Sequence, residues 1–185
     1  MAEVTALIAT AAEIITFWKN AGPEKWFAKD EDFDQEFHDR FKAAHFAAAA
    51  RELDDWLNNA ESALALLLLL DQFPRNCFRG TGHMYATDSL ARHFAHKSIA
   101  QGLDTAVDEA LCVFFYMPFM HSEELDDQEF CCRLIEIIGG PSLHHAIEHR
   151  DIIKRFGRFP HRNRILGRDT TPEEQAFLDE GGFAG

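Results

Sequence analysis

The chain has 185 residues, with 18 Lys and Arg against 31 Asp and Glu, for a net charge of −13 with histidine neutral. Hydrophobic residues make up 46% and charged residues 26%, which excludes a disordered or collagen-like chain and supplies enough apolar surface for one core. The acidic balance argues against a general nucleic-acid or anionic-membrane binder, because either partner would repel it at long range. A single domain over residues 1–185 is expected.

In chain order nearly every segment repeats its apolar residues with a helical period, and none alternates like a strand. The first 20 residues carry Glu3 and Glu13 and lack a basic start, so they do not read as a secretory signal. Val4, Leu7, Ile8, Ala11, Ile14, Ile15 and Trp18 form one stripe, closed by Gly22-Pro23. A turn carrying Trp26 and Phe27 follows. Asp32 is placed to cap a helix that bears Phe33, Phe37, Phe41 and Ala44, with Ala47–Ala50 allowing close helix approach. The next helix runs from Ala60 to Gln72 and is expected to stop before Pro74. Its Leu66–Leu70 run is apolar all round, which predicts a central position. The apolar run Ala63–Leu70 has eight residues, far below the ~20 that span a bilayer.

Residues 74–83 read as a loop. A helix from Tyr85 to Gln101 ends at Gly102, and Asp104 is placed to cap one that carries Leu111, Val113, Phe114 and Phe115 and ends near Pro118. Ser122 opens a helix that reaches Ile138, Pro141 opens one that reaches Phe156, and Thr171-Pro172-Glu173-Glu174 opens a short last one. About eight helices with short connections predict an all-α array of antiparallel neighbours. Cys77, Cys112, Cys131 and Cys132 form no C-x-x-C pair, so idle thiols in a reducing cytoplasm are expected.

Two loops look like versions of one another. One is Asp71-Gln72-Phe73-Pro74-Arg75-Asn76 followed by Arg79-Gly80. The other is Phe156-Gly157-Arg158-Phe159-Pro160-His161-Arg162-Asn163 followed by Gly167-Arg168. Arginine on a Pro-bounded loop presents a pre-aimed fork that suits a carboxylate or phosphate. The same arginines can equally bond the orphan carbonyls of neighbouring helices while the phenylalanines plug the core. Asp71, in the last turn of a very apolar helix, opposes the helix dipole and calls for a guanidinium partner: Arg75, Arg79 or an arginine of the second loop.

On the helix from Pro141 to Phe156, His145, His149 and Arg150 fall within the arc of Leu143, Ala146, Ile147, Ile152, Ile153 and Phe156. Polar groups there are either structural links or the lining of a cleft. His145 and His149 have metal-ligand spacing, but H-E-x-x-H and a third ligand are missing, so neither a metal nor another cofactor is expected. In Met120-His121-Ser122-Glu123, Ser122 is a natural N-cap, while His121 and Glu123 are candidate acid–base groups. G-x-S-x-G, G-x-G-x-x-G and P-loop signatures are absent. His93 and His96 read as surface residues.

These signatures together resemble the uncharacterised bacterial domain-of-unknown-function family 924. Its first is Leu69–Asn76 with Arg79-Gly80 and Asp88, its second Pro118–Glu123, and its third His149 with Phe156–Asn163 and Gly167-Arg168. Phe17-Trp18, Trp26-Phe27 and Phe33-Asp34 match as well, so the resemblance covers nearly the whole chain. It implies an all-helical, tetratricopeptide-like α-α superhelix and no particular activity.

Three functions are open. The helices form a cleft in which Arg75, Asn76, Arg79, His121, Glu123, His149, Arg158, His161, Arg162, Asn163 and Arg168 grip a small anion or an acidic peptide. Or an enzyme draws an acid–base pair from Asp71, Asp88, His121, Glu123, His149 and His161. Or the signatures only knit helices together and a partner protein binds a plain helical face. Charge segregation favours the first: from His144 to Arg168 there are seven Lys and Arg against two acids, a local +5, and the rest of the chain carries −18. That stretch invites a small anion, or an acidic internal partner such as Asp71, rather than nucleic acid. The sequence sets no oligomeric state.

Overall fold

The structure, a computed structural model, describes residues 8–140 and 142–185. All the regular structure among them is helical. It divides into two compact units: one takes the chain up to Arg79 and then His83–Pro118, the other takes Gly80–Gly82 and Phe119–Gly185. Among the described residues no helix is long and apolar enough to cross a membrane.

In the first unit α1 (Ala11–Ala21) is opened by a capping box, Thr10 with Glu13. Ile14, Ile15, Phe17 and Trp18 are its buried face, while Val4 and Leu7 of the predicted stripe lie outside the described residues. A short turn, α2 (Pro23–Trp26), seats Trp26, whose indole N–H donates to the Trp18 carbonyl at 2.7 Å. The cap of α3 (Glu31–Ala49) is Asp30, not Asp32, because the Asp30 carboxylate accepts the Phe33 N–H. The i, i+4 ladder of Phe33, Phe37 and Phe41 is buried as the spacing predicts, and Phe17 stacks on Phe33 and Phe37.

The central helix holds up as such: in α4 (Ala60–Leu67) and the residues after it, everything from Ala63 to Leu70 is fully buried. Pro74 does not end it. The chain widens into a π-helical turn over Leu68–Gln72 and continues as α5 (Phe73–Cys77), in which Pro74 sits in the first turn, where its missing N–H costs nothing. The first four residues of the predicted loop 74–83 are therefore helical. Next comes α6 (Asp88–Ala100), shorter at its start than the pattern suggested, and Gly102 follows it at φ +70°, a left-handed conformation that favours glycine.

Asp104 does not cap the helix that carries Leu111, which begins five residues later at Glu109. It is buried and accepts a 2.8 Å hydrogen bond from the Tyr116 hydroxyl, within a helix, α7 (Glu109–Met120), that carries Pro118 inside it. His45 is a second buried polar link: its Nδ1–H donates to the Leu69 carbonyl at 2.9 Å, and its Nε2 faces the Nε2 of His83 at 2.9 Å. Burial holds that imidazole neutral, with its pKa lowered to about 4.

The second unit is built on α8 (Leu125–Ile138) and α9 (Ser142–Phe156), which pack together, and on α10 (Pro172–Asp179). Ser122 precedes α8 rather than opening it, and its hydroxyl accepts the Glu124 N–H. The predicted start at Pro141 lies outside the described residues. A small core of Ile152, Ile153 and Phe159 is covered by Phe156, Phe177 and Phe183. The four cysteines are free thiols.

Candidate functional site

The wide turn of the π-helical segment brings Asp71 and Gln72 in succession into the core of the first unit. Asp71 is 1% exposed and takes the Gln72 amide at 2.6 Å. Arg75, one turn later, donates Nη1 to the Asp71 carbonyl at 2.9 Å and lies 3.2 Å from its carboxylate. Of the candidate partners for Asp71, Arg75 is thus present. The same Nη1 and the other fork nitrogen, Nη2, grip the two oxygens of Asp88, in the first turn of α6, at 2.9 and 3.0 Å. Burial works against the Arg75 charge, yet Asp71 and Asp88 outweigh it and raise its pKa. Asn76 and Arg79 share one carboxylate, that of Asp34 in the first turn of α3, at 2.7 and 3.0 Å.

The second loop repeats the device within the second unit. Phe159, like Phe73, is fully buried. Arg158 clasps Glu174 at 2.6 and 2.8 Å, and the Asn163 amide meets the same carboxylate at 3.2 Å. Glu174 is the N3 residue of α10 and closes its capping box with Thr171. Its pKa falls to about 2, chiefly through the Arg158 hydrogen bond. In both loops a phenylalanine plugs the core while an asparagine and an arginine pin the first turn of another helix.

Arg168 forks onto Glu123 at 2.7 and 2.9 Å, and Glu123 also accepts the Phe159 backbone N–H at 2.9 Å. Burial works to raise the Glu123 pKa, but the Arg168 hydrogen bond and the Phe159 N–H prevail and lower it. A carboxylate so engaged is a strut, and a poor general base.

The remaining predicted residues of the second unit gather around His149. This side chain is 6% exposed, and its Nδ1–H donates to the His145 carbonyl at 2.8 Å, which leaves Nε2 as the lone-pair nitrogen. Its pKa drops to about 3, first through burial and then through the electrostatic effect of His121, Arg162 and His161. Phe159 is the common platform: its ring centroid is 5.3 Å from that of His149 and 5.6 Å from that of His161, and Arg162 lies over it at 4.4 Å. His145 does not join them. It is exposed, 3.9 Å from Glu148, and Arg150 pairs with Asp151. The arc therefore splits because its edge positions, Ile147 included, reach solvent. Among the described residues no three His, Cys, Asp or Glu side chains gather as a metal site.

The sequence pattern of a bacterial family of unknown function, DUF924, matches residues 14–182. The chain belongs to this family. A solved structure, that of the protein of unknown function ATU0120 from Agrobacterium tumefaciens, shares 66% identity over 92% of this chain and 97% of its own, with a TM-score of 0.91. No curated protein matches.

Three participants escaped sequence reasoning. Asp34 was visible in the family resemblance only as part of a Phe-Asp pair, and Glu174 only as a helix-start residue. Phe183, which touches both His149 and His161, carried no signal.

Proposed function

We propose that this family member binds a small anion, such as a phosphate or carboxylate group, at the basic cluster of His121, His149, His161 and Arg162. One observation carries the reading: His149 is buried within electrostatic reach of three other bases. Placing further bases beside a buried imidazole disfavours its protonation, and groups perturbed in this way concentrate at functional sites. An anion offsets that effect and draws protons onto the imidazoles. The local +5 of His144–Arg168 supports the same sign of ligand. Arg75, Arg79, Arg158 and Arg168 hold internal carboxylates, which assigns these four arginines to the frame. Acid–base catalysis is the weaker alternative, because an imidazole with a pKa near 3 is a feeble base at neutral pH. The tetratricopeptide-like course of the helices and the cytoplasmic setting stay with this proposal, supported by the family resemblance and the four free thiols.

Thermal-shift and calorimetric titrations with phosphate, sulfate and short carboxylates test it. Stabilisation of about 2.7 kcal/mol is expected at a hundredfold excess over Kd, with proton uptake on binding and affinity that rises as pH falls towards the His149 value of about 3. Arg162→Gln should abolish the effect. No stabilisation by any of these anions refutes the reading.

A second reading rests on a cavity of about 340 Å³ in the first unit, lined among others by Lys29, Asp34, His38, Asn76 and Arg79. If the anion sits there, Arg79→Ala removes binding and Arg162→Gln does not.

A further inference from the structure

Chain beyond α10 lies on the proposed site. Gly181 turns at φ +84°, in the region that favours glycine, and its N–H donates to the Leu178 carbonyl at 3.1 Å. The Gly182 N–H then donates to the Phe177 carbonyl at 2.9 Å, and its backbone runs flat against the Phe177 ring, where a Cβ would stand 2.5 Å from ring atoms. This double turn aims Phe183 at the basic cluster. Its ring centroid lies 4.4 Å from that of His149, 5.1 Å from that of His161 and 6.5 Å from that of Phe159. Gly185 follows against the His161 ring, with its Cβ direction 3.1 Å from Cδ2.

The two ends of this segment are held very differently. Before the turn, α10 is anchored through Glu174 to Arg158 and Asn163. After it, residues 183–185 make no hydrogen bond among the described contacts, and Phe183 is only half buried. A segment with a fixed base, a glycine turn and residues beyond it held by ring contacts opens at low cost.

We propose that residues 181–185 form a strap, turning on Gly181-Gly182, whose Phe183 plugs the His149–His161 site and must swing away for an anion to enter. The inference rests on the anion reading for its ligand, but not for its geometry. The strap makes the open form a minority state, so apparent anion affinity is the intrinsic affinity scaled by the open fraction.

The test compares wild type, Phe183→Ala and Gly182→Ala, the last of which drives a methyl group against the Phe177 ring. Carbethoxylation of His149 by diethyl pyrocarbonate, located by peptide mass spectrometry, reads the strap without any anion. Both variants should react at least about fivefold faster at His149 and bind inorganic phosphate correspondingly more tightly. Circular dichroism confirms that each variant is folded. His149 reactivity within twofold of wild type in both variants overturns the strap, whatever phosphate does. Faster reaction without phosphate binding in any of the three proteins leaves the strap standing and removes the anion reading instead. Phosphate affinity unchanged in variants that do react faster also overturns the gating role.

Discussion

Arg75→Ala is the sharpest probe of the framing role assigned to the loops. Arg75 is 12% exposed and stands between Asp71, at 1%, and Asp88, at 16%. Truncation removes two hydrogen bonds to Asp88, the one to the Asp71 carbonyl and the charge 3.2 Å from its carboxylate. It leaves Asp71 buried, with the Gln72 amide still bonded to it. Breaking a buried pair from one side costs about 3–5 kcal/mol. At 2–4 °C per kcal/mol for a chain of this size, Tm should fall by roughly 6–20 °C. Arg79→Ala is the matched control: a single hydrogen bond at 36% side-chain exposure, worth about 0–1 kcal/mol. Urea unfolding followed by tryptophan fluorescence suits the comparison, because Trp18, Trp26 and Trp56 all belong to the first unit. A Cm for Arg75→Ala equivalent to less than about 1 kcal/mol of loss would refute the structural assignment, and Arg75 would then return to the ligand-binding set.

The Glu174 carboxylate is held far below its ordinary range when folded. Its contribution is complete above the unfolded glutamate value and fades as pH falls from about 5 towards 2. Glu174→Gln should flatten the acid limb of the second unit's stability curve, measured by circular dichroism between pH 2 and 6. Glu123→Gln breaks the Arg168 fork and weakens the Phe159 N–H contact, with an expected loss of about 1.5–3 kcal/mol in chemical denaturation. Burial pushes the thiols of Cys77, Cys112, Cys131 and Cys132 up. A thiol-disulfide dye at pH 7.5 should therefore label the native protein slowly and all four sites at once in denaturant. Rapid native labelling would contradict the packing described for them.

Much of the architecture was legible because it is local. The Phe33, Phe37 and Phe41 ladder, the apolar run from Ala63 to Leu70 and the stop at Gly102 follow from helical period, side-chain volume and glycine's access to positive φ. Even the Asp71–Arg75 pair was within reach, since both residues lie on successive turns of one helical stretch. Boundaries failed where local chemistry allowed two outcomes. Asp30 and Asp32 are equal caps on paper, and Pro74 can stop a helix or start one. Packing chose the start, because the π-helical turn lets the chain continue with Phe73 buried and Arg75 aimed at Asp88.

The candidate site divides along the same line. Its basic character, the inward His149 and the two matching loops were properties of the sequence alone, written in charge counts and spacing. What the loops hold was decided only by tertiary structure: Asp34 lies 42 residues from Asn76, and Glu123 lies 45 from Arg168. So was the seating of Phe183 on His149. A guanidinium accepts any carboxylate that the fold delivers, and no local pattern encodes which one arrives. Helical period determined what each segment would be; the long-range packing determined which charges meet, and therefore which arginines became struts and which bases gather around His149.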